Sequence, residues 1–243
     1  MEIQATGNTG LLAAFEMSYT ATRKKEERLY PDDIVAKLPF IGPTHIHFSE
    51  WLVRNRSAQR LLSYLRTKQK PLRILDVGCG NGWLTAMLAA IDDSSVTGID
   101  INTTELQQAR RVFGDRPNLR FLTGQPGDAP ILESYDVIVF AASIQYFPSL
   151  TDTLNRILPI LNKTGEVHIF DTHFYSRREQ QAAQQRSNAY YRSIGQQAMV
   201  DFYFHHAKNE LAGFNYTYLF NPYKLGNRLI RKKDPFPWIR ITA

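Results

Sequence analysis

Five short apolar runs rich in β-branched and aromatic residues occupy the middle of the chain, and helical patterns separate them. They are Leu72 to Val77, Ser95 to Asp100, Leu119 to Thr123, Tyr135 to Phe140 and Gly165 to Asp171. Strands of this kind alternating with helices predict a parallel sheet covered by helices on both faces. Local start signals support the helices. Asn102 is followed by Glu105 and Ser149 by Asp152, each at the spacing of a capping box. From Ser149 to Leu161, the residues Leu150, Leu154, Ile157, Leu158 and Leu161 recur at helical spacing, which marks a core-facing stripe and not a ligand box.

Beyond Asp171 the rhythm changes. Ser176 with Glu179 opens a polar, glutamine-rich helix expected to reach about Ile194 and carrying Tyr190 and Tyr191, and a second helical piece ends at Gly213. Phe214 to Phe220 and Phe236 to Thr242 read as two final, mutually antiparallel strands joined by a basic loop, which brings the count to seven. The first 70 residues look helical, lie outside the alternation, and concentrate the rings of Tyr19, His45, His47, Phe48 and Trp51. A chain of 243 residues with 43% hydrophobic content suits one medium-sized domain with a covering segment. The expected division is a helical cover over 1–70 and a sheet domain over 71–243, with 172–213 as a helical lid-like insertion.

Composition narrows the class. The N-terminal stretch lacks the basic start and apolar run of a signal peptide, and no run approaches the roughly 18 apolar residues of a membrane span, so a cytoplasmic protein without membrane contact is expected. The single cysteine, Cys79, excludes an intrachain disulfide framework and a cysteine-cluster metal site. A net charge of +6 raises the question of nucleic acid. The excess is local. Arg54, Arg56, Arg60, Arg66, Lys68, Lys70 and Arg73 form one cluster and Lys224, Arg228, Arg231, Lys232 and Lys233 another. Either could steer RNA or an anionic substrate, or be a solvated face.

The run LDVGCGNG, Leu75 to Gly82, closes the first strand with an acid and three alternating glycines. Glycines at such a turn let a ligand approach the backbone without obstruction by Cβ atoms. Trp83 stands where the third glycine of a dinucleotide fingerprint belongs, and the charge of Asp76 opposes a pyrophosphate while suiting a cationic group. The second strand ends in Asp100, at the place where a carboxylate can accept both hydroxyls of a ribose. An acid-tipped glycine turn followed at this spacing by a second acid-tipped strand fits a ligand with ammonium and sulfonium groups and no phosphate.

With these residues in view, the chain resembles the class I S-adenosylmethionine-dependent methyltransferases, and within them the small-molecule, type 11-like group. The matching stretches are LDVGCGNGWLT, VTGIDIN, FLTGQPGD, YDVIVFAASIQYF and LPILNKTGEVHIFD, covering about residues 70 to 172, with a weaker echo in HHAKNELAGFNYTYLF. The resemblance implies a Rossmann-like, doubly wound α/β fold with strand order 3-2-1-4-5-7-6 and the last strand antiparallel. It implies that Asp76, Gly78, Cys79 and Gly80 line the methionine side of S-adenosylmethionine, Cys79 through its backbone. Asp100 would then hold the ribose and Ile101 lie against the adenine, while Ala141 would face the cofactor. An acid often contacts the adenine amino group in this family; Gln125 stands at that position, with Asp128 as the competing candidate.

Methyl transfer from a sulfonium depends chiefly on aligning a nucleophile, so no catalytic triad is required. The fourth-strand motif FAASIQYF lacks the Asn/Asp-Pro-Pro-aromatic arrangement of nucleic-acid amine methyltransferases, and a Pro-Cys nucleophile is missing too. A small organic acceptor, methylated at O, N or C, is therefore expected. An RNA methyltransferase and a non-catalytic S-adenosylmethionine-binding protein stand as alternatives, and a dinucleotide enzyme is disfavoured by Asp76 and Trp83. Acceptor contacts are expected outside the carboxyl ends of the strands, from Tyr19, His45, Trp51, Tyr146 and Tyr175, with His173 the candidate base. His168 alternates within a strand and is expected to be packed, and the pair His205-His206 is given a structural role because metal ligation on a helix favours i, i+4 spacing.

Overall fold

The computed structural model describes residues 3–128, 134–227 and 233–242, with backbone alone for 3–9. A seven-stranded sheet in the order β3-β2-β1-β4-β5-β7-β6 forms its centre. β1 (Leu72–Val77), β2 (Ser94–Asp100), β3 (Leu119–Thr123), β4 (Tyr135–Ala141) and β5 (Leu161–Phe170) run parallel, while β7 (Trp238–Thr242) is antiparallel to both β5 and β6 (Asn215–Phe220). The parallel order follows from side chains that are apolar on both faces. Ile74, Leu75, Val137, Ile138, Val139 and Phe140 are all fully buried.

Each face is closed by its own helices. On one side α3 (Phe48–Arg66), α4 (Trp83–Leu88) and α5 (Thr103–Phe113) contribute Leu61, Leu65, Leu84, Leu88, Leu106 and Ala109 to the core beneath Ile74, Val96 and Val137. On the other, Leu150, Leu154 and Ile157 of α6 (Leu150–Ile157), together with Leu211, cover Leu75, Ile138 and Ile169. Burying a side chain of this size contributes about 1.5 to 3 kcal/mol, so the two layers fix the sheet between them.

Some boundaries differ from those expected. α6 ends at Ile157, residues Leu158–Ile160 form a 3-10 turn, and Leu161 already belongs to β5. Pro159 has no N–H with which to continue the α-helical ladder, and so the stripe breaks before Leu161. Similarly, Pro235 and Pro237 keep residue 236 out of the last strand. The helical piece expected before Gly213 is two 3-10 turns, Gln197–Phe202 and Lys208–Gly213.

α1 (Ile3–Lys25) and a short α2 (Asp32–Val35) precede the sheet domain, and α7 (Arg177–Ser193) lies between β5 and β6. The full capping box of Ser176 and Glu179 starts α7 as the sequence indicates. α1 and the residues after β5 meet over the carboxyl edge of the sheet. Phe15 packs its ring 5.6 Å from Phe202, and Tyr190 donates to Glu26 at 2.6 Å. Beneath them the chain leaves β4 and β5 through two non-glycine residues with left-handed backbone, Ala142 (φ 51°) and Asp171 (φ 56°). The Ala142 N–H donates to the Phe170 carbonyl at 3.0 Å, which locks the two turns side by side.

Candidate active site

The backbone ties the loop after β1 to β2: the N–H groups of Gly78 and Cys79 both donate to the Ile99 carbonyl, at 2.8 and 3.0 Å. Gly78 and Gly80 have φ values of 71° and 53°, which L side chains adopt at a cost. Space forbids a side chain as well. A Cβ on Gly78 would stand 2.6 Å from Cβ of Ser143, and one on Gly80 2.9 Å from Oε2 of Glu105.

Asp100 is fixed from both sides. Its Oδ2 accepts the Gly80 N–H and its Oδ1 the Asn102 N–H, both at 2.8 Å, so each oxygen keeps a further lone pair for a ligand diol. Because Asp100 takes the Asn102 N–H, only half of the expected capping box forms at α5. The Asn102 side chain accepts from the Glu105 N–H at 2.9 Å, and the Glu105 carboxyl lines a cavity instead.

That first cavity, about 430 Å³, runs along the carboxyl ends of β1, β2 and β4 beneath α1. Asp76, Asp100 and Glu105 all line it. Burial pushes Asp76 up to about 7, against the pull of the 2.7 Å bond from Thr85. It does the same to Glu105, to about 7, with the charge of Arg23 opposing, and it raises Asp100 despite the backbone bonds. Three buried carboxyls that resist ionisation together favour a ligand bearing positive charge.

A second cavity of about 490 Å³ adjoins the first. Tyr19, Arg23, Ala142 and Tyr146 line both. Arg23 donates to the Tyr19 hydroxyl at 2.9 Å, and the Tyr146 ring meets Tyr19 edge-on at 5.4 Å and Tyr203 at 5.8 Å. Asp171, His173, Tyr175, Arg186, Tyr191 and His205 are among the other residues around the second cavity.

The sequence profile of the methyltransferase domain family matches residues 74–165, from β1 into β5. Malonyl-[acyl-carrier protein] O-methyltransferase of Halalkalibacterium halodurans is 27% identical over 147 residues, 56% of this chain and 54% of the relative. Its namesake in Acetivibrio thermocellus is 34% identical over 115 residues, 46% and 40% of the two chains. The match and the named relatives support a class I S-adenosylmethionine-dependent methyltransferase family for this region of the chain. It spans about half the length of the curated relatives it matches. Among solved structures, magnesium protoporphyrin IX methyltransferase from Synechocystis, determined with bound S-adenosylhomocysteine, superposes with a TM-score of 0.60 at 12% identity, covering 97% of this chain and 100% of that one. Geranyl diphosphate C-methyltransferase from Streptomyces coelicolor gives 0.57 at 15%, covering 82% and 81%. At these identities the superpositions speak for the methyltransferase fold.

Most of the residues singled out in the sequence converge on these two cavities. Asp76, Gly78, Cys79, Gly80, Asp100, Ile101, Gln125, Ala141, Tyr19, Trp51 and Tyr146 line the first cavity, and His173 and Tyr175 the second. Between the two candidates after β3, Gln125 lines the cavity, while the Asp128 carboxylate accepts the Gln125 N–H at 2.7 Å and caps the turn. His45 does not join them. It lines neither cavity; its Nδ1 accepts the His47 N–H at 3.1 Å and its ring packs 5.1 Å from Tyr30. His168 is buried between Glu166 and Trp238. His205 pairs with Ser187 and His206 with the Ile144 carbonyl.

The first basic cluster is largely neutralised at home. Arg54 pairs with Glu50, Arg56 and Arg60 with Asp234, Lys68 with Glu166 and Lys70 with Asp136. Arg228, Arg231 and Lys232 of the second cluster lie outside the described residues. No helix among the described residues is long and apolar enough to cross a membrane. Among the cavity residues that escaped sequence reasoning are Arg23, Glu105 and Asp171. Glu105 reads as a helix cap and Asp171 as the last residue of a strand; only the helical spacing of Arg23 from Tyr19 hinted at their pairing.

Proposed function

We infer that the protein transfers a methyl group from S-adenosylmethionine to a small organic acceptor. One observation carries the reading: Asp100, with each oxygen held by a backbone N–H, stands beside the glycine turn in a cavity whose other carboxyls favour a cation. Asp100 holds the ribose hydroxyls. Gly78, Cys79 and Gly80 admit the methionine portion to the backbone, Asp76 and Glu105 face its positive charges, Ile101 and Gln125 meet the adenine, and Ala141 lies along the donor. The sulfonium supplies an already activated methyl group, so the chain contributes position, alignment and exclusion of water.

The second cavity takes the acceptor, with Tyr19 and Tyr146 at the join and His173 and Tyr175 along its wall; Trp51 stays on the donor side. A cavity of about 490 Å³ next to the donor site speaks against a purely non-catalytic binding role. The internal pairing of Arg54, Arg56 and Arg60 takes away the main support for RNA. The names of the carrier-protein relatives agree with an organic acceptor. A lone cysteine buried in the glycine turn fits the reducing cytoplasm.

Calorimetry with S-adenosylhomocysteine tests the donor site. Saturable binding to the wild type is expected, with a loss of at least about thirtyfold in Asp100→Ala, since two charge-assisted ligand bonds disappear. Unchanged affinity in a folded Asp100→Ala protein would refute the ribose assignment. Transfer of labelled methyl from the donor across a metabolite extract, with the product identified by mass, tests the reaction.

A further inference from the structure

The second cavity contains a buried carboxylate that no other feature of the fold uses fully. Asp171 directly follows β5 at the ligand edge of the sheet, is 6% exposed, and holds a left-handed φ of 56° next to Ala142, which lines both cavities. Its Oδ1 accepts the Ser57 hydroxyl at 2.6 Å. Its Oδ2 is shielded from solvent and has no hydrogen-bond partner among the described residues. A buried carboxylate oxygen without a donor is costly, so its retention in a cavity wall calls for a ligand that brings the missing hydrogen. The charged groups around it leave the carboxylate available: Arg54 and Arg60 on α3 favour its ionised form, and Glu50 opposes it.

The remaining wall defines the shape of that ligand. Beside Arg23, Arg28, Arg54 and Arg186, the rings of Tyr146, Tyr175, Tyr191, Tyr203, His173 and Phe236 line part of the cavity with faces and edges suited to a planar ring. Resting on the methyltransferase reading above, we propose that the second cavity takes an aryl hydroxyl acceptor and that Asp171 Oδ2 receives its proton. The acceptor oxygen forms a bond to the methyl carbon as the carbon–sulfur bond breaks. The electron pair of that bond stays on sulfur to give S-adenosylhomocysteine, and the hydroxyl proton passes to Asp171. Burial pushes Asp171 up to about 6, which keeps it ionised near neutrality while making it a better base than an exposed carboxylate.

The test uses the full chain loaded with S-adenosylhomocysteine and two probes, 4-nitrophenol and its methyl ether 4-nitroanisole. Nitrophenol is expected to bind the wild type and to weaken by about tenfold in Asp171→Asn, whereas nitroanisole binds both alike. Near neutrality, where Asp171 is ionised, the hydrogen bond to its carboxylate should move the absorption band of bound, protonated nitrophenol to longer wavelength in the wild type. This second readout needs no substitution and so stands even if Asp171→Asn fails to fold. Absence of nitrophenol binding, equal weakening of both probes, or an unshifted band would overturn the proposal. Failure of S-adenosylhomocysteine to bind would instead overturn the donor reading, and the probes applied to the free protein would still decide the role of Asp171.

Discussion

The two cavities share a wall yet are built by different means. The floor of the first is set by backbone, beneath side chains of α1: a glycine turn tied to Ile99, an aspartate gripped by two N–H groups, and strand ends held in register by the sheet. Side chains shape the second, drawn from α1, α3, the turns after β4 and β5, α7 and the 3-10 turn beyond it. A common ligand can be served by a site that the sheet itself specifies. A particular acceptor needs a site that can change residue by residue while the sheet stays intact.

Substitutions should divide along this line. The largest effect is expected for Gly78→Ala, where left-handed backbone and a 2.6 Å clash with Ser143 coincide. It should cost about 2 to 4 kcal/mol in urea unfolding and abolish measurable S-adenosylhomocysteine binding. If stability and binding survived, the claim that backbone sets the floor of the first cavity would fail.

Tyr203→Ala should leave donor affinity within about twofold while raising the KM for an acceptor about tenfold, because one ring of the second cavity is lost. A matching fall in donor affinity would show the cavities to be one energetic unit.

The third effect is smaller and concerns pH. Asp76 and Glu105 titrate near about 7 in the folded chain, well above their unfolded values. Between about pH 4.5 and about 7 the folded state therefore holds more protons than the unfolded one, and stability falls as pH rises. Glu50 and Glu166, held down at about 2, act in the opposite sense only at lower pH. The ligand-free protein should accordingly gain a few degrees in Tm, roughly, on going from pH 8 to about 5.5, as differential scanning would show. S-adenosylmethionine should reverse part of this trend, since its positive charges favour the ionised carboxyls, and its binding near pH 7 should release protons, seen as a dependence of calorimetric heat on the buffer. Proton uptake would contradict the placement of the cationic end beside Asp76 and Glu105.

Ser57→Ala should have the least effect. Loss of the 2.6 Å bond to Asp171 costs about 1 kcal/mol of stability and leaves donor binding unchanged.

The contrast also explains what could be read from the chain before its structure. β1 to β4 were legible because each is a local apolar run, and the glycine turn and Asp100 because a strand end and its following residues are contiguous. The strand order came from family resemblance, since periodicity does not state which strands are neighbours. Pro159 moved a boundary by a local effect that the leucine stripe concealed. Glu105 was obscured for a longer-range reason: at its helical position an acid normally closes a capping box, and only the fold brings Asp100 to the Asn102 N–H first. Asp171 likewise depended on Ser57, far away in sequence, to reveal an oxygen left over. His45 was drawn into the site by its aromatic neighbours, which in the structure hold it against Tyr30.

Tyr19 and Arg23 belong to a single helix and border both compartments. Any ligand that changes how this pair is held alters the free energy of the other site, and thermodynamic linkage makes the influence mutual: the factor by which donor changes acceptor affinity equals the factor by which acceptor changes donor affinity. One turn of α1 thus gives two chemically unlike guests a common stake in the same pair of side chains.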